Sequence, residues 1–129
     1  MILPVTTTAA SILTALYGFL TLRVISMRRR GIGPAVGLNE NESFIRAVRA
    51  HANFAEYTPL FLILLGLNEI QDGSWFILFG STILFVAGRF LHAIGFGLLG
   101  TGPGRVIGMV GTNTALFILA LANIVLLFS

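Results

Sequence analysis

Apolar residues gather in four stretches, each about the 20 residues a helix needs to cross roughly 30 Å of hydrocarbon. The first runs from about Val5 to Met27, the second from about Phe44 to Ile70, the third from about Trp75 to Leu98 and the fourth from about Val106 to Phe128. Polar and helix-breaking residues separate them. Arg28, Arg29 and Arg30 close the first stretch, and Gly31, Gly33, Pro34 and Gly37 follow. NENES then offers Asn41 or Ser43 as an N-cap for the second helix. QDGS forms the next turn, and GTGPG at 100–104 breaks the chain before the fourth stretch. Connections this short leave no room for a soluble domain. The pattern predicts an all-α, integral membrane, up-and-down four-helix bundle, with residues 1–129 as one domain.

One segment breaks the hydrophobic pattern. Residues 46–61 read RAVRAHANFAEYTPLF, so hydropathy alone would delay the second span to Tyr57. On a helix, Arg49, Asn53, Glu56 and Tyr57 fall within about 100° of one another, with Arg46 on the same side. His51 lies on the opposite flank. Charged groups near the centre of a membrane helix cost about 2.5–3.5 kcal/mol each, so these face a bundle interior, a cavity or one another. Arg49 and Glu56, seven residues apart, are candidates for a simple intrahelical pair. The third stretch adds Arg89, His92 and Phe96 in one stripe, and Arg89 has no acid on its own helix. Glu56 is its one obvious intramembrane counter-ion.

Composition sharpens this picture. Charged residues make up 10% of the chain, hydrophobic residues 56%, and mean hydropathy is +0.93. Soluble domains carry about 25% charged residues. The net charge of +3 arises from arginine alone, yet a membrane-embedded chain has little solvated basic surface for nucleic acid. With no cysteine, disulfides, thiolate metal sites and a cysteine nucleophile are excluded, so any thiol must arrive with a substrate. His51 and His92 lack a third ligand on the same face, and no metal is expected. The first stretch has no basic residue ahead of it, which suits an uncleaved membrane helix better than a signal peptide. Arginine-rich connections after the first and third stretches predict that both are cytoplasmic and both termini lie outside.

Arginines outnumber acids in and near that half: Arg23, Arg28, Arg29, Arg30, Arg46, Arg49, Arg89 and Arg105 against Glu40, Glu42 and Glu56. A guanidinium surplus in a dry site asks for an anion, and arginine grips carboxylates and phosphates bidentately. Glu56 among them suits an ammonium group on the same ligand. The Arg28–Arg30 run also has a simpler reading, as a topology signal or an anionic-lipid contact. Pro59 is expected to loosen the second helix, and Gly88, Gly95, Gly104, Gly108 and Gly111 to mark close helix approaches.

The block FIRAVRAHANFAEYTPLFL at 44–62, preceded by LRVISMRRR, resembles the MAPEG superfamily, the membrane-associated proteins of eicosanoid and glutathione metabolism. The resemblance covers nearly the whole chain and suggests a bacterial branch, in the inner membrane. It implies a homotrimer with glutathione held as co-substrate in a cleft between subunits near the cytoplasmic side. By the same resemblance Arg49 and Tyr57 would hold carboxylates, Asn53 would hydrogen-bond the peptide backbone and Glu56 would take the ammonium. Arg28 and Arg29 match the basic pair ending the family's first helix. His51 would serve the adjacent subunit's site. Arg89 matches the third-helix arginine, whereas His92 and Phe96 stand where the eicosanoid-forming enzymes have tyrosines. Arg105 is the nearest match to the arginine that stabilises the glutathione thiolate.

The expected activity is glutathione transfer to a hydrophobic electrophile, or peroxidase chemistry on a lipid hydroperoxide, entering from the bilayer. A non-catalytic lipid or small-molecule binder on the same fold is the alternative. A channel or transporter has less support, because the polar residues concentrate at one end and line no path across.

Overall fold

The computed structural model describes residues 2–33, 41–100 and 102–128. Pro34, Gly37, Glu40 and Thr101, named above as breakers or charges, lie outside them. Four helices follow in order: α1 (Pro4–Arg29), α2 (Glu42–Ile70), α3 (Trp75–Leu91, continued by a π-helical segment His92–Leu98) and α4 (Gly102–Leu127). The expected all-α four-helix membrane bundle is what the chain forms. The start of α4 differs from expectation. The GPG of the supposed breaker forms its first turn, because proline near a helix N-terminus sacrifices an N–H that has no intrahelical partner anyway.

The helix ends are set by specific side chains. Asn41, not Ser43, caps α2, accepting from the Phe44 N–H at 3.1 Å. At the other end of α2 the chain turns in a Schellman motif. Gly73 N–H donates to the Asn68 carbonyl at 2.9 Å and Asp72 N–H to the Glu69 carbonyl at 3.3 Å, with Asp72 at φ 52°. Helix α1 starts on Pro4 without a cap of its own. Its exposed amides are met from across the bundle: Val5 and Thr6 N–H donate to the two carboxylate oxygens of Glu69, each at 2.8 Å. A carboxylate at a helix N-terminus also meets the positive end of the macrodipole. This clasp ties the end of α2 to the beginning of α1.

Packing is apolar through the middle. Phe61 and Phe85 stack at 3.8 Å between ring centroids, joined by Leu13, Leu20, Leu65 and Leu119, all fully buried. Helices α3 and α4 approach closely enough to require glycine. A Cβ on Gly108 would lie 2.6 Å from the Gly88 carbonyl oxygen, and one on Gly104 would lie 2.6 Å from Gly95 Cα. Gly111, expected in the same group, has ordinary room at 3.4 Å. Near the α2–α3 turn, Asn68 donates to Asn123 Oδ1 at 3.0 Å, and Asn123 donates to the Leu64 carbonyl at 2.9 Å. Helix α2 runs unbroken through Pro59.

The outer surface is greasy: Phe76, Phe117, Leu121 and Ile83 are all largely exposed. Pro4–Arg29, Trp75–Leu98 and Gly102–Leu127 are each long and apolar enough to cross a membrane. Helix α2 has the length at 29 residues, but its first half carries the polar set.

Candidate functional site

The polar half of α2 faces the segment where α3 changes its winding. From His92 onward the backbone widens to i→i+5 bonding, closing with the Leu99 N–H on the Ile94 carbonyl at 2.9 Å. The seven residues HAIGFGL carry two glycines, and short π segments of this kind cluster at functional sites. The change of pitch alters the expected stripe. His92 and Phe96 stay together, ring centroids 5.4 Å apart, and both reach a cleft against α2. Arg89 lies on the regular helix before them and is turned beneath that cleft, 1% exposed.

The cleft measures about 260 Å³ and is lined by Arg49, Ala52, Asn53, Glu56, His92, Phe96 and Arg105. Arg49, Glu56 and Arg105 are exposed at its rim, while Asn53 is half-buried and His92 buried. Arg105, in the first turns of α4, spreads over the Phe96 ring with its guanidinium carbon 5.3 Å from the centroid. Two cations and one carboxylate therefore face a shared opening, beside the N-terminus of α4. Helix N-termini offer free amides and a dipole that favours anions.

Arg89 forms the floor. Its Nη1 donates to Asn53 Oδ1 at 2.8 Å, its Nε to Thr112 Oγ1 at 2.9 Å and its Nη2 to the Met109 sulfur at 3.5 Å. The Tyr57 and Phe85 rings lie 5.5 and 5.7 Å from its guanidinium carbon. Glu56 is not its counter-ion, contrary to expectation, and Arg49 and Glu56 form no ion pair. Among the described residues the ion pair within 4.0 Å is Arg46–Glu42. The buried charge is held by neutral dipoles instead, and it adds to the positive potential of the cleft above. Because Arg89 occupies the amide oxygen of Asn53, the Asn53 NH2 group is the part left for a ligand.

The remaining candidate residues lie elsewhere. Tyr57 is packed under Arg89 and does not line the cleft. His51 sits on the far flank of α2, where its Nε2 is 3.1 Å from Thr21 Oγ1 and its ring stacks on Tyr17 at 5.0 Å. Thr21 spends its proton on the Tyr17 carbonyl at 2.9 Å, so His51 Nε2 is the donor in that pair. Arg28 stands over the Phe44 ring at 6.0 Å, and Arg29 is exposed beside it, both outside the cleft. Thr112 was not singled out in the sequence. Its signal was a hydroxyl one turn beyond Gly108 in an apolar helix, where it donates to the Gly108 carbonyl at 2.8 Å and accepts from Arg89.

No curated protein sequence matches the chain. The model of the MAPEG family does, over residues 6–125, which takes in all but the outermost residues of the four helices and every residue lining the cleft. With nearly its whole length matched, this chain belongs to the MAPEG family, whose members are membrane proteins of glutathione and eicosanoid metabolism.

Proposed function

We propose that the chain is a membrane-bound glutathione transferase, with peroxidase activity toward lipid hydroperoxides, that binds glutathione as co-substrate in the cleft between α2, the π segment and α4. The observation that carries this reading is the charge pattern: Arg49 and Arg105 flank Glu56 across one opening. Glutathione has two carboxylates and one ammonium, the complement of that set. Asn53 presents its amide donors to the peptide carbonyls, and His92 supplies a polar contact where the eicosanoid-forming members of the family have tyrosine. The cleft is smaller than most sites for ligands of this size, about 300–1,000 Å³, and it is open on one side. A homotrimer would close it with a neighbour's α1–α2 face, bringing Arg28, Arg29 and His51 to the ligand and accounting for their absence from the cleft of one subunit. Tyr57 would then act through Arg89 or through small movements of α2.

In the chemical step the thiol proton leaves to solvent and the thiolate is held beside Arg105, whose guanidinium favours the anion. The sulfur then forms a bond to the electrophilic carbon while the leaving group departs with its bonding pair. With a hydroperoxide, two glutathione molecules supply two electrons, giving disulfide, alcohol and water. The site would sit at the cytoplasmic side of a bacterial inner membrane, with both termini on the opposite side.

The test is a titration of detergent-purified protein with glutathione, followed by calorimetry and by the ultraviolet absorbance of the thiolate. Binding with a saturating thiolate band, lost in Arg105→Ala, is the expected result. Full thiolate absorbance in Arg105→Ala would remove Arg105 from its role. Binding without any band would favour a second reading, a non-catalytic lipid binder. That reading draws support from the apolar groove of about 380 Å³ between α1 and α2, lined by Leu13, Tyr17, Phe54, Thr58 and Leu62 among others.

A further inference from the structure

Of the arginines that the cleft does not use, two are drawn partly out of solvent. Arg23, on α1, is half-buried, and its Nη1 is shielded from solvent with no hydrogen-bond partner. Arg46, on α2, has a shielded Nε that is likewise unpartnered. Its Nη1 reaches outward to Glu42 at 3.4 Å, a long contact to a side chain that is 87% exposed. Arg23 and Arg46 are near enough for their like charges to oppose each other. No carboxylate among the described residues lies within ion-pair distance of Arg23.

The backbone leaves room for both guanidinium groups. A Cβ on Gly97, in the π segment, would lie 3.5 Å from Arg23 Nη1 and 3.1 Å from Ala50 Cβ. One on Gly100 would lie 3.1 Å from Arg46 Nε and 3.2 Å from its guanidinium carbon, and Gly100 adopts φ +69°. Glycines at 97 and 100 thus keep side chains off the two cations that repel each other. With no acid on Arg23 and only an exposed one at the outer nitrogen of Arg46, an anion between the two guanidinium groups would stabilise both.

We infer that Arg23 and Arg46 form a phosphate-binding cradle at the end of the bundle where α1 ends and α2 begins. A carboxylate has two oxygens and saturates one guanidinium fork. A phosphate offers enough oxygens, spread tetrahedrally, to bridge two forks at once. Depth favours a phospholipid headgroup as the source. Helix α1 is about 39 Å long at 1.5 Å per residue, and Arg23 lies six residues, or about 9 Å, inside its end at Arg29. For a hydrocarbon layer about 30 Å thick this is close to its edge, where a headgroup phosphate arrives with its acyl chains already lying along the apolar outer face of α1. The cradle is separate from the cleft and independent of what the cleft binds.

The test uses the full chain in detergent, stripped of lipid, with thermal unfolding as the readout. Phosphatidylglycerol, diacylglycerol with the same acyl chains, and inorganic phosphate against chloride at equal ionic strength are titrated separately. Phosphatidylglycerol is expected to raise Tm by several degrees more than diacylglycerol. Arg23→Gln and Arg46→Gln should each abolish that difference, and Gly97→Ala should reduce it. Arg30→Gln, on the exposed run, should retain it. Lipid-free Arg23→Gln should melt higher than the wild type, because it removes an uncompensated charge, which also shows that the variant folds. A rise with inorganic phosphate that Arg23→Gln removes would identify free phosphate as the source of the same group. The inference is overturned if neither phosphate compound exceeds its control, or if Arg23→Gln and Arg46→Gln respond as the wild type does.

Discussion

Replacing Asn53 with Asp separates what Arg89 does for the fold from what Asn53 does for a ligand. The side chains are nearly isosteric, and the carboxylate would accept from Arg89 Nη1 where the amide oxygen now does, at 2.8 Å. Arg89 is already buried without a counter-ion, so its desolvation has been met in the wild type. An acid beside it adds attraction, and hydrogen bonds to charged groups contribute about 1.5–3 kcal/mol against about 1 for neutral ones. The variant should therefore unfold at a higher temperature than the wild type. Anion binding should move the opposite way. The cleft loses an amide donor and gains a negative charge, and a like charge about 5 Å away at an effective dielectric near 20 costs about 3 kcal/mol. Discounting the lost hydrogen bond against the open, partly solvated rim, glutathione affinity should fall roughly a hundredfold. Calorimetry with glutathione and thermal unfolding in the same detergent give both numbers. Affinity within about threefold of the wild type, or a fall in both stability and affinity, would falsify the assignment of the Asn53 amide to the ligand.

Three further outcomes follow from the packing. Glu69→Ala strips the Val5 and Thr6 amides of their acceptors and should lower stability by about 1–2 kcal/mol in thermal unfolding, as loss of a helix cap does, while Glu69→Gln should lower it less. Gly108→Ala drives a methyl into the Gly88 carbonyl and should cost about 1–3 kcal/mol or more, whereas Gly111→Ala, with its nearest neighbour at 3.4 Å, should be tolerated; equal effects would contradict the helix spacing. Asn123→Leu leaves both the Asn68 amide and the Leu64 carbonyl without their partner and should cost about 1–3 kcal/mol, with Asn68→Leu added to it costing less than the sum of the two single variants.

Much of the fold was legible because lipid imposes a simple rule on sequence. Four apolar stretches with breakers between them specify four helices, and their bounds fall within a few residues of those expected. The exception, Gly102–Gly104, shows why composition misleads at helix starts: glycine and proline break a helix in its interior but are accepted in its first turn. Periodicity put Arg49, Asn53 and Glu56 on one face of α2 and His92 with Phe96 on one stripe of the third helix, whereas Arg105 entered through the family resemblance; the structure brings all six around one cleft. The part played by Arg89 was not foreseeable. Periodicity assumed 3.6 residues per turn through His92–Leu98, and the wider winding there rotates Phe96 away from the line of Arg89, which lies buried under the cleft. Counting charges also suggested Glu56 as its partner, because a sequence does not show that a threonine, an asparagine and a thioether converge on one guanidinium from two other helices. His51 illustrates a different limit. Its placement against Thr21 and Tyr17 follows from the α1–α2 register, which no single-helix pattern contains.

The clasp of Glu69 on Val5 and Thr6, with the Asn68–Asn123 bridge beside it, makes the two ends of the bundle mechanically unequal. At that end helix is tied to helix by directed bonds. At the other, Arg23 and Arg46 oppose each other and Arg49 and Arg105 face one opening, so the positive charge of the chain gathers where the directed bonds of the clasp are absent. The bundle is thus fastened at one end by its own bonds and left at the other for a ligand to fasten. An anion bound between α2 and α4 should slow amide exchange in the first turns of those helices while leaving the amides of Val5 and Thr6 unchanged.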